Sequence, residues 1–385
     1  MANDRIQAID SSVHIASQAA IDDTTTPVFQ EFRRISGTVK NSYSYGTSGI
    51  VDPTGQAPSQ FLESQEYMAE IETEYTDLTK EFFKKAIHGE EVLVNVTGSD
   101  IAFTAAGVDS GTSNAFADLV VGDFFFVSDS ASNNGWHSIA TKTDNNNVTL
   151  KTAPTVESAG ASITVYSRKV TSDKNKYYDI MQERLPFDAG VGGIGYKTMF
   201  NGQINSCSIS VPEEGAITTN YNYMFAKTVA GSAAIAGQTD SASDDSDSYS
   251  ATNISNFWIN GVSKLCEIKT LELSIENNYE IDKAAGCDNN LLGKGNISAS
   301  ASVTARTSST NPYVYHELAA NAFDVSLSFG LKSNDDTKES VYSLARCKIS
   351  EPDRAINGVF LDTSFTAAGQ ASKEQNTTVT VYSNF

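Results

Sequence analysis

Residues 264–306, KLCEIKTLELSIENNYEIDKAAGCDNNLLGKGNISASASVTAR, predict two β-strands joined by a turn rich in Asn and Gly. Apolar and polar side chains alternate with a period of two in both strands, the pattern of a strand with one buried and one wetted face. The positions predicted to be buried are Leu271, Leu273, Ile275, Ile297, Ala299, Ala301, Val303 and Ala305. The opposite row of the second strand is almost entirely serine. Such a row suits a wall that another molecule passes closely without being held, although an ordinary sandwich strand shows the same alternation.

The rest of the chain predicts a mainly β fold, an antiparallel sandwich or barrel with one or two flanking helices. The first helix spans 76–89, with Thr76 as its N-cap and Gly89 as its stop, and a second short helix begins at Pro312 after Asn311. The other predicted strands are 29–39, 124–127, 136–140, 148–150, 163–166, 177–185, 204–211, 325–331, 342–349 and 377–382.

An inserted small all-β domain is predicted at residues 98–168, which combine short strands with Gly and Asn turns, including Asn134-Gly135. The aromatic residues expected to form its core are Phe124, Phe126 and Trp136. Residues 1–97 and 169–385 would then form one discontinuous main domain.

The composition limits the classes of function. Lys and Arg number 27 against 47 Asp and Glu, so the net charge of the 385 residues is −20. Affinity for nucleic-acid phosphates comes from basic side chains that release counterions, so a chain this acidic binds nucleic acid poorly but can let it pass without sticking. We expect no signal peptide and no membrane insertion, because no apolar run approaches the length of a membrane span.

No cofactor, metal or catalytic site is predicted. Residues 190–195 fit GxGxxG, but the segment that follows is too short and too rich in Gly for the helix that a dinucleotide site needs. The carboxylates Asp240, Asp244, Asp245 and Asp247 lack the glycine and terminal glutamate of a calcium loop, so weak fortuitous cation binding is their alternative to a solvated loop. The four histidines and four cysteines are scattered, and His88 is interpreted as a cation at the end of the first helix.

Segments along nearly the whole chain resemble the phage tail tube (major tail) proteins, in the order of strands, helices and turns. In the main domain they are FQEFRRISGTV (29–39), FFKKAIHG (82–89), YYDIMQERLPF (177–187), NGQINSCSISVPEEG (201–215), IKTLELSIENNYEIDKAAG (268–286), KGNISASASVTAR (294–306), VYHELAAN (314–321) and DVSLSFGLKS (324–333). FADLVVGDFFFV, NNGWHSIAT and AGASITVYSR resemble the extra domain that many of these proteins carry.

The resemblance implies a structural virion protein of the long non-contractile-tail type and not an enzyme. In the family, six β-sandwich subunits form a ring, and their strands join one barrel around a central channel. Rings stack into the tail tube in the host bacterial cytoplasm. The implied partners are other copies of the chain, the tape measure protein in the channel, the tail terminator and tail-tip proteins, and double-stranded DNA in transit.

Simple geometry supports this picture. Six subunits with four strands each give about 24 strands, a circumference of ~115 Å and a backbone diameter of at least ~37 Å, which admits a duplex. The charge per ring would be 6 × −20 = −120. Ring closure also removes exposed sheet edges that would otherwise aggregate.

We expect the polar rows of residues 264–306 to face the channel, namely Glu272, Ser274, Glu276, Ser298, Ser300 and Ser302. The arm 1–27 and the long loop 43–59 are expected to connect rings or, equally, to be an ordinary terminus and surface loop. The inter-ring candidates are Phe29, Tyr43, Tyr45 and Ile50. The insert would lie on the outer surface, where it would collide with a contractile sheath.

Two other readings remain open. A surface adhesion module would show a secretion signal or a concentrated aromatic patch, and neither stands out in the sequence. An enzyme on a β scaffold would need a converging acid, base or metal set, and the sequence nominates none.

Overall fold

The computed structural model describes residues 11–47, 60–173, 177–187, 193–242, 246–282, 291–307, 313–320, 324–357, 360–372, 374–375 and 377–385. Of the described residues, 58% are in strands and 7% in helices, with a large antiparallel sheet, so the predicted mainly β fold is confirmed. Two α-helices are described, α1 (Asp77–Ile87) and α2 (Val314–Ala320), with 3₁₀ turns at Ala251–Asn253 and Leu265–Glu267.

The strands are numbered in chain order. They are β1 Ser12–Gln18, β2 Val28–Glu31, β3 Ser36–Thr47, β4 Gln60–Glu74, β5 Glu91–Gly98, β6 Ala102–Phe103, β7 Gly107–Asp109, β8 Phe124–Ser128, β9 Gly135–Lys142, β10 Asn147–Leu150, β11 Ile163–Thr171, β12 Tyr178–Phe187, β13 Gly193–Val211 and β14 Thr218–Phe225. They continue with β15 Lys227–Gly231, β16 Thr239–Asp240, β17 Ile254–Ile259, β18 Val262–Ser263, β19 Ile268–Glu276, β20 Glu280–Asp282, β21 Leu291–Gly293, β22 Ser298–Arg306, β23 Val325–Lys332, β24 Glu339–Ile349, β25 Asp353–Asn357, β26 Phe360–Gly369 and β27 Thr380–Ser383.

Eight strands form what we call the main sheet, in the order β3-β4-β14-β13-β19-β22-β26-β25, with every neighbouring pair antiparallel. The stretch 264–306 supplies β19 and β22, and its predicted alternation is confirmed. Leu271, Leu273 and Ile275 are buried, as are the apolar positions of β22.

The main core lies between this sheet and a second sheet in the order β17-β23-β24-β27. It contains Ile209, Tyr221 and Leu273 from the main sheet and Phe329 and Tyr342 from the second sheet. Both helices contribute to the same core, α1 through two phenylalanines and α2 through a tyrosine. The result is a β-sandwich with flanking helices.

Helix α1 forms as its sequence predicts at the N-terminus and differs at the C-terminus. The Thr76 hydroxyl accepts from the Thr79 amide, and the Thr79 hydroxyl accepts from the Thr76 amide, which closes a capping box. His88, not Gly89, is the C-cap and adopts a left-handed conformation. His88 is buried beside Asn277 and Tyr279, whereas the sequence interpretation placed it simply at the end of the helix as a cation.

Lys80 on α1 makes stability depend on pH. It is 2% exposed, 3.2 Å from Asp77 and 3.6 Å from the ring centroid of Phe385, and burial lowers the pKa of Lys80 to about 8. Because this lies below its unfolded value, the unfolded chain keeps the Lys80 proton above about pH 8 while the folded chain loses it, so Lys80 adds to the free energy of unfolding as the pH rises from about 8 to 9.5. Burial raises the pKa of Cys207 and Cys347, which contribute with the opposite sign over the same range. Relative to the parent, Lys80→Met should therefore lose free energy of unfolding progressively from about pH 8 to 9.5 in urea titrations, whereas Lys40→Met at an exposed position should keep the parent's pH dependence. The same pH dependence in Lys80→Met and the parent would contradict this.

Several expectations for the N-terminal region need correction. Residues 12–18 are not part of an extended arm, because β1 pairs with β12 along its whole length and with β2. The predicted strand 29–39 is two strands, β2 and β3, separated at 32–35. The predicted loop 43–59 begins as strand, since β3 continues to Thr47 in a long hairpin with β4, and 48–59 lie outside the described residues.

The Gly-rich segment is also strand where it is described. Gly193 and Gly195 pair with β12, and the chain continues as β13 for 19 residues, where a dinucleotide site would need a helix.

The region predicted as an inserted domain contains a separate hydrophobic cluster, but not one made of the predicted residues. Its buried aromatic residues are Phe103, Phe116 and Phe125, together with aliphatic side chains from β5 and β11. Since β5 and β11 pair along eight residues, this compact unit begins within β5. Phe124 instead packs against Trp258 and Tyr382 of the main domain, Trp136 packs beside them, and Phe126 lies edge-on to Trp136.

Strand β27 joins the insert to the sandwich. It pairs with the C-terminal half of β11 on one side and with β24 on the other, so the second sheet continues into the stem of the insert. A buried ion pair lies at the same junction, where Lys169 Nζ is 2.8 Å from Asp123 Oδ2. The Tyr382 hydroxyl donates to Asp123 Oδ1 over 2.8 Å.

Candidate channel surface and subunit edges

The six predicted channel residues lie together on one face of the main sheet. In the β19–β22 register Glu272 is opposite Ser302, Ser274 opposite Ser300, and Glu276 opposite Ser298. The apolar side chains between them point into the core. Because side chains alternate along a strand, these six polar side chains point to the opposite face. The alternation in the sequence predicts that these residues share one face of their strands. The structure shows that the two rows are adjacent and which strands lie beside them.

The same polar face extends across β13, β14 and β4, which the sequence analysis did not connect. Its neighbouring rows, given by the register, contain Ser206, Ser208, Ser210, Asn220, Asn222, Glu70 and Glu72. Several of these residues line a shallow open depression of about 190 Å³. The signal was present in the alternation of residues 66–74 and 218–225, but pairing between strands so distant in sequence cannot be read from either segment alone.

The polar face is rich in carboxylates. It carries Glu66, Glu70, Glu72, Glu74, Glu272 and Glu276, with Lys40 and Arg306 towards its ends. Arg306 lies 3.8 Å from Glu213, and the Ser36 hydroxyl donates to Glu72 over 2.8 Å. A surface of hydroxyls, amides and glutamates repels phosphate groups and offers them few cations.

Both ends of the main sheet are open edges. Within the described residues, β3 pairs only with β4, and β25 only with β26. The outer side of β3, a strand of twelve residues, has no neighbouring strand among the described residues and forms a ready template for another strand, which natural proteins normally block or cover.

At both edges of the main sheet, exposed apolar side chains lie on the face that packs against the core in the middle of the sheet. On β3, Tyr43 and Tyr45 continue the core-facing row, and Tyr45, opposite Leu62, is 60% exposed. On β25, Ile356 is 84% exposed and lies opposite Leu361. At each end the core-side face of the sheet therefore extends beyond the chain's own core.

The predicted inter-ring residues have different environments. Phe29 is 0% exposed and packs with Ala16, Ile180 and Phe200, so it has no surface to offer a neighbour in this structure. Tyr43 and Tyr45 are exposed but lie on a strand and not on a loop. Ile50 lies outside the described residues.

Within the described part of the chain, no three His, Cys, Asp or Glu side chains are placed to hold a metal ion. Asp240 does not belong to a cation site, because its two oxygens accept from both guanidinium nitrogens of Arg184 at 2.8 Å. This hydrogen-bonded pair lowers the pKa of Asp240. Asp244 and Asp245 lie outside the described residues.

A β-sandwich whose main sheet has a polar face and an open edge at each end is typical of structural proteins that associate with further copies of themselves. The family model described as "Phage tail tube protein" matches residues 9–367, and the chain belongs to that family. Its members are structural components of the virion tail that assemble into a tube, and the family is not known as an enzyme family. A comparison with curated proteins finds no match. Among the described residues, none of the helices has the length and apolar character needed to cross a membrane.

Proposed function

We propose that copies of this chain join edge to edge into closed rings, that the rings stack into the tail tube, and that the polar face of the main sheet lines a channel for DNA. The observation that supports this most strongly is the coincidence of three features on one sheet. It has an acidic, hydroxyl-rich face without a hydrophobic cover, a core on the other side, and open edges at both ends. A closed barrel satisfies all of them, because it removes the edges and encloses the polar face.

The same proposal assigns partners and locations. The channel holds the tape measure protein during assembly in the host bacterial cytoplasm and DNA during ejection, while the tail terminator and tail-tip proteins contact the tube ends. The insert lies on the outer surface, which fits a non-contractile tail. The arm 1–27 and the segment 43–59, outside the paired strands β1, β2 and β3, are proposed to reach the next ring.

Lysines on the proposed channel face should retard DNA. Ser274 and Ser300 are opposite each other, so Ser274→Lys/Ser300→Lys places two cations together on the face in every copy. In phage particles carrying this variant we expect tubes to assemble and DNA release in vitro to slow by about tenfold or more at low salt, with recovery at high salt. Thr97→Lys/Thr164→Lys, at a paired exposed position on the insert, is the matched control. Equal release rates for both variants and the parent would overturn the channel assignment.

A further inference from the structure

The main sheet consists of two halves with the same strand order. The first half is β3-β4-β14-β13, and the second is β19-β22-β26-β25. In the first half, β4 of the hairpin β3–β4 pairs with β14 of the hairpin β13–β14, which leaves β13 at the far side. In the second half, β22 of the hairpin β19–β22 pairs with β26 of the hairpin β25–β26, which leaves β25 at the far side.

The elements also follow one another along the chain in the same order. In the first half, the hairpin β3–β4 is followed by α1, by the pair β5–β11 and by the hairpin β13–β14. In the second half, the hairpin β19–β22 is followed by α2, by the hairpin β23–β24 and by the hairpin β25–β26. The small β-domain interrupts only the first half, between β5 and β11. The chain therefore contains two structural repeats of one tube unit.

The two repeats are joined in a way that shows how separate copies can join. At the centre of the main sheet, β13 at the end of the first repeat pairs antiparallel with β19 at the start of the second. The equivalent strands, each with one open edge among the described residues, are β25 at the end of the second repeat and β3 at the start of the first. The internal β13–β19 junction is thus a template for pairing β25 of one copy with β3 of the next.

We infer that this chain forms rings of three copies, with β25 of each copy paired to β3 of its neighbour. The inference rests on the proposed tube function and replaces the six copies expected from four strands per subunit. Three copies with eight strands each give 24 strands and a backbone diameter of at least ~37 Å, whereas six copies would give 48 strands and at least ~73 Å, far wider than a duplex needs. The formal charge per ring becomes 3 × −20 = −60.

Strand direction and side-chain exposure both fit this junction. Because eight successive strands alternate in direction, the two edge strands run oppositely, and copies related by rotation place them antiparallel. The apolar residues left exposed at the two edges, Ile356 on β25 and Tyr43 and Tyr45 on β3, belong to the core-side face. Pairing the edges places these side chains on one shared face and extends the core from copy to copy.

A disulfide between the two edges counts the copies in a ring. The double variant Tyr43→Cys/Ile356→Cys is assembled, oxidised and separated on a denaturing gel, with each single variant measuring the background from native cysteines. Each copy has one β3 edge and one β25 edge, so three copies crosslinked in a ring form a closed circle. We therefore expect gel bands of one, two and three chains and none larger. Ser42→Cys/Ile356→Cys is the matched control, since Ser42 is exposed on the polar face, and it should crosslink at least tenfold less.

The outcomes separate this inference from the proposed function. Tubes whose ladder ends at six, or continues beyond six because the edges meet between rings, would overturn the three-copy ring and leave the tube function intact. Tubes without crosslinks in the double variant would also overturn it. End-on electron microscopy of parent tubes gives a second count, and we expect three outer knobs per ring because each chain has one insert. Failure to form rings or tubes in any variant, parent included, would contradict the proposed function itself.

Discussion

Asp123→Ala should lower the free energy of unfolding by about 3–5 kcal/mol, the usual cost of removing one member of a buried charge pair. Asp123 is 0% exposed, and its carboxylate accepts from Lys169 at 2.8 Å and from Gln375 at 2.6 Å. The substitution leaves the Lys169 ammonium and the Tyr382 hydroxyl without their acceptor at the junction of the insert and the sandwich. Urea unfolding followed by circular dichroism measures the loss.

Two variants control this experiment. Asp118→Ala changes an exposed aspartate on the same connection and should alter stability by less than about 0.5 kcal/mol. Asp123→Leu/Lys169→Met removes both charges, and we expect it to recover much of the stability that the single variant loses. If Asp123→Ala were as stable as Asp118→Ala, the ion pair would not hold the two parts together.

Tyr43→Lys/Tyr45→Lys should abolish ring and tube formation and leave a folded monomer. Both side chains are exposed in the single chain, so their replacement removes little of its own packing. In a ring they would be covered by β25 of the next copy, and two charges pointing inward at a sheet edge are a device by which natural proteins block strand pairing. Sedimentation velocity distinguishes the monomer from the assembled protein.

The matched control places lysines on the same strand but the opposite face. Ser42→Lys/Ser44→Lys adds equal charge to β3, and both residues are also exposed, but they point to the polar face. We expect this variant to assemble. Tube formation by Tyr43→Lys/Tyr45→Lys to the extent of the parent would rule out β3 as a subunit edge.

Local patterns could be predicted where alternation is strict. The β19 and β22 strands and helix α1 follow from their own residues, because alternation, capping and a charged last turn each act within a few positions. Strands β4 and β14 carry comparable alternation at Tyr67, Ala69 and Ile71 and at Tyr221 and Tyr223, so the same local signal predicts them.

Pairing between distant segments could not be predicted in the same way. The polar face depends on the register of β13 with both β14 and β19, and a single sequence without alignment contains no signal for that register. The two repeats could not be recognised from the sequence, because the residues between β5 and β11 make the first half much longer than the second. In the insert, adjacent phenylalanines face opposite sides, so composition alone could not show that Phe125 fills its core while Phe124 contacts the sandwich.

Electron microscopy of the purified protein, paired with its sedimentation profile, tests the central claim most directly. We predict hollow tubes or closed rings with outer knobs and a bore that admits a duplex. A compact monomer that persists at high concentration and on a tail-tip nucleus would contradict the account, because both open edges of the main sheet would then have no partner.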